Sequence, residues 1–174
     1  VQNPMHLSSC EAQQCGFFGC GEYVLGHRSI GTPNDIINLA KALEVTLHEG
    51  TDPVRHCPHG LNLGSPDSFD TFDKLLAAYK RQVEYFTEIA ARHQRLVYDT
   101  VRENGALLLM SLLMDDCVTR AKPLVSGGVR YLAGTYETYG NTTVSDSLVA
   151  IRQIVYEQNL LSLRQLVEIL DSEF

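Results

Sequence analysis

Two amphipathic segments dominate the first two thirds of the chain. From Asp35 the apolar side chains recur at helical spacing, with Asn34 placed to cap the start of a helix and Gly50 placed to end it. A second, longer stripe predicts a helix from about Phe69 to about Asn104, which a glycine follows. The apolar positions are Ile36, Ile37, Ala40, Leu43 and Leu47 in the first helix, and Phe72, Leu75, Leu76, Tyr79, Val83, Phe86 and Ile89 in the second.

The last third of the chain predicts two more helices. One runs from about Asp146 to Glu157, and the other begins at Ser162, where Ser162 and Gln165 form a capping box. Between the long helix and these two lies a nearly continuous apolar run over residues 106–114. Because a membrane span needs about 20 apolar residues, we expect this run to lie in a core.

The strand signals are weaker than the helix signals. Phe17 and Phe18 precede the glycine-rich turn Gly19-Cys20-Gly21, a pattern typical of a short strand that enters a turn. Residues 129–133 have weak strand character, and residues 51–67 and 136–143 are expected to be loops. The sequence therefore predicts an α/β fold with many helices and few strands, whose order it does not define.

Composition narrows the class of protein. A chain of 174 residues, with 44% hydrophobic and 20% charged residues, is expected to form one globular domain. Its net charge of −7 argues against nucleic-acid binding, which requires clustered lysine and arginine. The odd number of cysteines, five, favours a reducing cytoplasm over a disulfide framework. The chain starts with Val1 and carries no basic leader, so we expect an upstream start and no secretory signal.

The tetrapeptide Gly19-Cys20-Gly21-Glu22 is the most informative chemical feature. A cysteine between two glycines at a turn projects its sulfur away from the backbone, and a carboxylate two residues later can point into the same cavity. This pair suits chemistry in which sulfur attacks or abstracts while the carboxylate moves a proton. The alternative is a buried cysteine beside a surface glutamate.

Other candidate sites have structural alternatives. Cys10, Cys15 and Cys20 lie five residues apart and could hold zinc or an iron–sulfur cluster, although the spacing matches no common ligand pattern. The tetrapeptide 56–59, His-Cys-Pro-His, is more simply a solvent-exposed loop. The pair at 115–116, two aspartates, could bind a hard cation, but we favour the capping of a turn.

Four ordered segments resemble the glycyl radical enzymes. The Gly-Cys-x-Glu turn is followed by Asn38 to Gly50, which is similar to the family pattern N-L-x-K-x-L-E-x-x-L-x-x-G. Residues 69–86 resemble the long helix of the family, and residues 115–128 resemble its D-x-C-I-x-x-G-x-x-x-x-x-G-G turn. The segment from Arg130 to Ile151 resembles the one that ends A-D-S-L-x-A-I-K-K-L-V-F. The resemblance covers residues 15–174.

The resemblance implies a fold and a set of functional residues. The family fold is a ten-stranded α/β barrel with outer helices, of which residues 1–174 would supply the central-to-C-terminal part, without the glycine radical domain. Such a partial barrel is expected to expose an apolar face. Cys20 would carry the thiyl radical, and Glu22 would be the general base. The substrate-binding candidates are Tyr131, Tyr139, His27 and Arg28.

The resemblance also implies a reaction class and partners. It favours a lyase or dehydratase, because pyruvate formate-lyase uses two adjacent cysteines and Cys20 has glycine on both sides. No cofactor would bind this chain, since the glycine radical would lie on a missing C-terminal segment and be installed by an S-adenosylmethionine/iron–sulfur activating enzyme. The expected partners are a small-molecule substrate, that activating enzyme and further copies of the full-length protein, without nucleic acid or membrane. The chain alone is expected to be inactive.

Two further hypotheses stay open at this point. The chain could be a non-catalytic truncated relative that acts as an interaction module, or a small metal-binding protein.

Overall fold

The computed structural model describes residues 7–19, 22–30, 33–132 and 135–172. This part of the chain is helix-rich α/β, as predicted. Its helices are α1 Ser9–Gln13, α2 Leu39–Leu47, α3 Phe72–Asn104, α4 Leu108–Leu112, α5 Cys117–Arg120, α6 Asn141–Ile151 and α7 Leu163–Asp171. Its strands are β1 Cys15–Phe18, β2 Glu22–Leu25, β3 Pro33–Asn38, β4 Thr51–Asp52, β5 Cys57–Pro58 and β6 Thr135–Tyr139. They pair as three two-stranded sheets within the described ranges: β1 with β2, β3 with β6, and β4 with β5.

The chain divides into two compact units, each with its own core. The first comprises Val1–Asp35 and Ala91–Glu137, and the second comprises Ile36–Ala90 and Thr138–Phe174. Cys117, Leu124, Val125 and Val129 are buried together in the first unit. The larger core of the second unit gathers α2, α3, α6 and α7 around Ala42, Leu43, Leu47, Phe69, Leu75, Ala78, Tyr79, Val144, Ile151, Val155, Leu163 and Val167.

Helix α2 begins later than the sequence pattern predicts. The start at Asp35 with Asn34 as its cap is wrong, because β3 continues to Asn38. The Asn38 side chain accepts a hydrogen bond from the Lys41 backbone N–H at 3.0 Å, so Asn38 is the residue that caps the helix. Ile36 and Ile37, the first two positions of the predicted helical stripe, belong to the strand instead. Both are β-branched, and β-branched residues favour strands.

Two other positions that the family pattern specifies within segment 38–50, Lys41 and Gly50, also have structural roles. Lys41 binds both Glu44 and the buried Asp52, whose carboxylate lies 3.1 Å from the ammonium group. Gly50 has φ +87°, and a Cβ atom there would lie 2.7 Å from the Leu61 backbone carbonyl carbon. Position 50 therefore needs glycine for both its backbone conformation and the close approach of the neighbouring loop.

The loop after β5 is fixed against α3 by Gln82. This side chain is fully buried, and its Oε1 accepts a hydrogen bond from the Leu61 backbone N–H at 3.1 Å. A Cβ atom at Gly60 would lie 2.8 Å from both the Gln82 Cδ and the Val45 Cγ1. Glycine is therefore required at position 60 by crowding from these two side chains. The predicted loop 51–67 also contains the short β4–β5 hairpin.

The long helix is confirmed as α3, with Leu75 and Tyr79 of its stripe buried. The expectation that residues 106–114 lie in a core is wrong. Leu108 and Leu109 of α4 are 68% and 75% exposed, whereas the buried residue of this helix is Ser111. The Ser111 hydroxyl donates to the Leu107 carbonyl and accepts from the Leu124 N–H, both at 2.9 Å, so this polar side faces the core. The leucines consequently form an exposed apolar face, as the partial-barrel hypothesis predicts.

The C-terminal helices fit their predictions in part. Residues 136–143 are not a loop, because β6 ends at Tyr139 and α6 begins at Asn141, earlier than predicted. A π-helical segment, Arg152–Glu157, follows α6. The capping box of α7 is confirmed: Ser162 accepts from the Gln165 N–H at 3.1 Å, and Gln165 accepts from the Ser162 N–H at 2.9 Å.

The segment 115–128 is held together by close packing around Cys117. This side chain is buried, which raises the pKa of its thiol, and a Cβ atom at Gly128 would lie 2.7 Å from its Sγ. Ala121 ends α5 in the left-handed conformation with φ +50°, at the position where the family pattern has glycine. The local fold thus keeps a glycine-type backbone although the residue is alanine.

Candidate active site

Gly19 and Glu22 lie at the closed end of the β1–β2 hairpin, and β1 ends at Phe18 as the strand-to-turn pattern predicted. The strands are antiparallel with Phe18 opposite Glu22, so the chain reverses between these two residues. Gly19 has φ +53°, a left-handed conformation that glycine adopts at little steric cost. Cys20 and Gly21 lie outside the described residues, and the assignment of Cys20 as the reactive thiol therefore stays a prediction.

The Glu22 carboxylate is enclosed and only partly satisfied. Glu22 is 5% exposed, and its Oε2 has no hydrogen-bond partner among the described residues. A Cβ atom at Gly19 would lie 2.8 Å from this Oε2 and 3.2 Å from Oε1. The carboxylate therefore folds back over the glycine at the start of the turn, against a backbone position that has no room for a side chain.

A buried carboxylate oxygen without a partner calls for a functional explanation. Buried polar groups are almost always hydrogen-bonded, because leaving one unpaired costs about 1–3 kcal/mol. The cost is higher when the group is charged. An open lone pair inside an enclosed site is suited to receive a proton from a reacting molecule. The geometry of Glu22 is thus compatible with the predicted base, and not with the alternative of a surface glutamate.

Two predicted substrate-binding residues lie just after β2 and are engaged with protein groups. The His27 ring Nδ1 lies 3.0 Å from the Leu113 carbonyl oxygen. The Arg28 guanidinium donates through Nε to Asp115 Oδ2 at 3.2 Å, and its Nη1 lies 3.6 Å from Glu11 Oε1. Arg28 is therefore shared by two carboxylates of the chain itself.

A third candidate, Tyr131, joins the same cluster. Its backbone N–H donates to the Arg28 carbonyl oxygen at 3.0 Å. Of the weak strand predicted over 129–133, residues 129–132 are described and residue 133 lies outside the described residues, and the bridge between Tyr131 and Ser29 is the β-structure observed there. The Tyr131 hydroxyl donates to Glu11 Oε1 at 3.2 Å. Burial, followed by this hydrogen bond to a carboxylate, raises the pKa of the Tyr131 phenol.

Glu11 is a central residue that the sequence analysis missed. It accepts hydrogen bonds from the Ser8 backbone N–H at 3.0 Å and from the Ser8 hydroxyl at 2.8 Å. These bonds, together with those from Tyr131 and Arg130, lower its pKa to about 2. The signal was present, because Ser8-x-x-Glu11 is a capping box before a short helix, but nothing in the sequence placed it beside Arg28.

The aspartate pair of segment 115–128 was also interpreted wrongly as a turn cap. Asp116 occupies the N-cap position of α5 but makes no side-chain capping bond. Its carboxylate instead accepts from Arg130 at 2.7 and 3.0 Å, and the Asp115 carboxylate binds Arg28. The bonds from Arg130 lower the pKa of Asp116.

The fourth predicted binding residue, Tyr139, belongs to the second unit. It ends β6 and is 54% exposed. A role for Tyr139 in substrate binding therefore rests on the resemblance.

The described residues bring together no group of three or more histidine, cysteine or acidic side chains suited to a metal ion. Cys10 lies exposed on α1, and Cys15 begins β1. The predicted solvent loop 56–59 is partly ordered, since β5 contains Cys57 and the His59 ring packs against Phe86 at 5.6 Å. Among the described residues, no helix is both long and apolar enough to cross a membrane.

Comparison with known proteins identifies the family to which this chain belongs. The pyruvate formate lyase-like family model matches residues 4–174, so the chain belongs to this family. Its relatives include glycyl radical dehydratases and lyases, and its fold is a helix-rich part of theirs.

Individual relatives match this chain over only part of their own length. A trans-4-hydroxy-L-proline dehydratase of Clostridioides difficile is 30% identical over 92% of this chain and 19% of the relative. An isethionate sulfite-lyase of Oleidesulfovibrio alaskensis is 30% identical over 94% of this chain and 20% of the relative. The structure of the C. difficile hydroxyproline dehydratase with bound substrate matches with a TM-score of 0.91 and 27% identity, over 98% of this chain and 22% of that one. The chain thus spans about a fifth of these relatives.

Proposed function

We propose that residues 1–174 form part of the barrel domain of a longer glycyl radical lyase or dehydratase, whose glycine radical lies on a separate segment. The chain spans about a fifth of its relatives, and it exposes an apolar face at α4. Both observations support a role within a larger catalytic domain rather than as a self-contained enzyme.

In this proposal Cys20 and Glu22 divide the chemistry between them. The glycine radical supplies the oxidising equivalent by taking the hydrogen atom of the Cys20 thiol. The sulfur-centred radical then takes a hydrogen atom from a substrate carbon that bears a hydroxyl or an amine, and Glu22 accepts the proton of that group. The resulting carbon radical expels the leaving group on the neighbouring carbon, which takes up the proton held by Glu22. The product radical recovers a hydrogen atom from the Cys20 thiol, which restores the sulfur-centred radical. Substrate is thereby converted into a carbonyl or imine product and the protonated leaving group.

The observation that carries the proposal is the enclosed Glu22 carboxylate at the Cys20 turn. Its Oε2 is buried and has no partner among the described residues, and it lies against the position of Gly19, the residue before Cys20. A general base in such a position contributes about 10²–10⁴-fold to a rate. The names of the relatives support water or sulfite as the leaving group.

The remaining parts of the proposal follow from the family. The radical would be installed by an S-adenosylmethionine/iron–sulfur activating enzyme, and the full-length protein would act on a small molecule in the cytoplasm as a homo-oligomer. His27, Arg28, Tyr131 and Tyr139 remain candidates for substrate contacts.

The test uses the full-length enzyme, activated without oxygen by its activating enzyme. Turnover is measured with trans-4-hydroxy-L-proline and isethionate, and the radical is measured by electron paramagnetic resonance. We expect Cys20→Ala to abolish turnover and to keep the organic radical signal. Glu22→Gln should keep the signal and lower turnover by about 10²–10⁴-fold.

Cys10→Ala is the matched control, because Cys10 is an exposed cysteine on α1. This variant should keep both the signal and turnover. Full turnover by Cys20→Ala would refute the catalytic proposal and favour a non-catalytic role for this chain.

A further inference from the structure

The β1–β2 hairpin has little core of its own to hold it in place. Of its described strand residues, only Glu22 and Leu25 are buried, whereas Phe17 and Tyr23 stack on each other at 5.0 Å on an exposed face. An isolated two-stranded hairpin is marginally stable in water. Contacts at its open end, where Cys15 pairs with Leu25, must therefore contribute to its position.

Glu11 stands at this open end, on the helix that leads into β1. Its two carboxylate oxygens have different partners. Oε2 accepts both hydrogen bonds from Ser8 and so caps α1. Oε1 accepts from the Tyr131 hydroxyl at 3.2 Å and faces the guanidinium groups of Arg130 at 3.4 Å and Arg28 at 3.6 Å. We call Glu11, Arg28, Arg130 and Tyr131 the Glu11 cluster.

At the open end of the hairpin, the Glu11 cluster connects the chain before β1 and the chain after β2 to the segments 115–116 and 130–131. Arg28 follows β2 and also binds the Asp115 carboxylate, while the Asp115 backbone N–H donates to the His27 carbonyl oxygen at 3.0 Å. Arg130 binds Asp116 at 2.7 Å. The chain entering the hairpin and the chain leaving it are thus joined through one carboxylate.

We propose that Glu11 is a positioning residue, which holds the open end of the hairpin through Arg28 and Tyr131 and thereby sets the position of Gly19 and Glu22 at its closed end. This inference rests on the function proposed for Glu22. This internal role of Arg28 and Tyr131 is the alternative to the substrate contacts proposed for them above. The two roles differ in kinetics, because misplaced reacting groups lower kcat, whereas a lost substrate contact raises KM.

The variant Glu11→Gln removes the negative charge of residue 11 and keeps its role in capping α1. Glutamine also serves as the last residue of a capping box, so α1 is retained when its amide oxygen takes the place of Oε2. The amide NH2 then takes the place of Oε1, and because this group only donates, it does not accept from Tyr131. The negative charge that faces Arg28 and Arg130 is lost. Glu84→Gln is the matched control, since it removes a carboxylate that pairs with Arg81 at 3.2 Å on the exposed side of α3.

Both variants are made in the full-length activated enzyme and compared in two measurements. Hydrogen exchange followed by mass spectrometry reports on the backbone amides of residues 22–25. We expect Glu11→Gln to accelerate their exchange by about 10-fold. With trans-4-hydroxy-L-proline or isethionate, whichever is turned over, kcat should fall by about 3- to 30-fold, with KM within about 2-fold of wild type. Glu84→Gln should change neither measurement.

Where Cys20→Ala abolishes turnover, the joint result of faster exchange and a lower kcat supports the positioning role, and any other combination overturns it. A raised KM at unchanged kcat would assign Arg28 to the substrate instead. If Cys20→Ala remains active, the proposed function fails, and the exchange rate alone then decides whether Glu11 holds the hairpin.

Discussion

Two carboxylates associated with one hairpin have opposite hydrogen-bonding surroundings. Glu11 is surrounded by donors, and the hydrogen bonds from Ser8 contribute most to a pKa of about 2. It is therefore ionised at every physiological pH and suits a fixed structural charge. Glu22 is buried with one oxygen that lacks a partner among the described residues, which suits a group that exchanges protons.

Gly19→Ala tests the arrangement around Glu22. The new methyl group would lie 2.8 Å from Oε2 in a backbone conformation with φ +53°, so the carboxylate must move and the backbone is strained by about 1 kcal/mol. We expect kcat of the full-length enzyme to fall by about 10-fold or more. Gly26→Ala is the control, because no neighbouring atom lies within 4 Å of its added Cβ. Wild-type turnover by Gly19→Ala would contradict the role given to the Glu22 carboxylate.

The elements that the sequence predicted well are those whose signals are local. The stripe of α3 and the capping box of α7 depend only on residues within one or two helical turns. The start of α2 was wrong because Ile36 and Ile37 fit a helical stripe as well as a strand, and the pairing of β3 with β6 links residues about 100 positions apart. The Glu11 cluster was missed for the same reason, since it joins residue 11 to residues 28 and 130–131.

Ala121→Gly tests the left-handed end of α5. Alanine at φ +50° is strained, so glycine should stabilise the fold by about 1 kcal/mol, measured by denaturant unfolding. Ala91→Gly, an exposed position inside α3, is the control and should instead destabilise the fold by about 1 kcal/mol. Equal effects of the two substitutions would show that position 121 is not strained.

The Lys41–Asp52 pair between α2 and β4 predicts that the free energy of unfolding depends on pH in the acid range. Burial acts to raise the pKa of Asp52, but hydrogen bonds from Lys41 and from the backbone of Val54 and Arg55 outweigh it and lower the pKa to about 2. The stability contributed by the ionised form is complete above the usual value of 3.8 and is lost as the pH falls toward 2. The difference in free energy of unfolding between wild type and Asp52→Asn should therefore shrink between these two pH values. A constant difference would contradict this pairing.

At the scale of the whole molecule, apolar composition did not predict burial. The leucines of 106–114 are expected in a core from their sequence, because the run is apolar and too short to span a membrane. The structure buries Ser111 and exposes Leu108 and Leu109, since the side of α4 toward Leu124 is the polar one. An apolar run that packs in a core of this chain has the same composition as a run covered by another part of a larger protein, because both remove apolar surface from water.

Two leucine substitutions distinguish a leucine in the core of this chain from a leucine on its exposed apolar face. Leu75 is fully buried in α3, so Leu75→Ala should lower the free energy of unfolding by about 2–5 kcal/mol. Leu109 is 75% exposed, so Leu109→Ala should change the stability of this chain by no more than about 0.5 kcal/mol. A large loss from Leu109→Ala in the 174-residue chain would mean that this leucine is covered there.

The contact between Gly60 and Gln82 carries an evolutionary consequence. Residue 60 can gain a side chain only if residue 82 loses its long amide side chain. Substitutions at these two positions are therefore coupled, although they lie 22 residues apart in sequence. Along this lineage, a bulkier residue at 60 should arise only in descendants that have already shortened residue 82, and ancestors rebuilt in the opposite order should fold poorly.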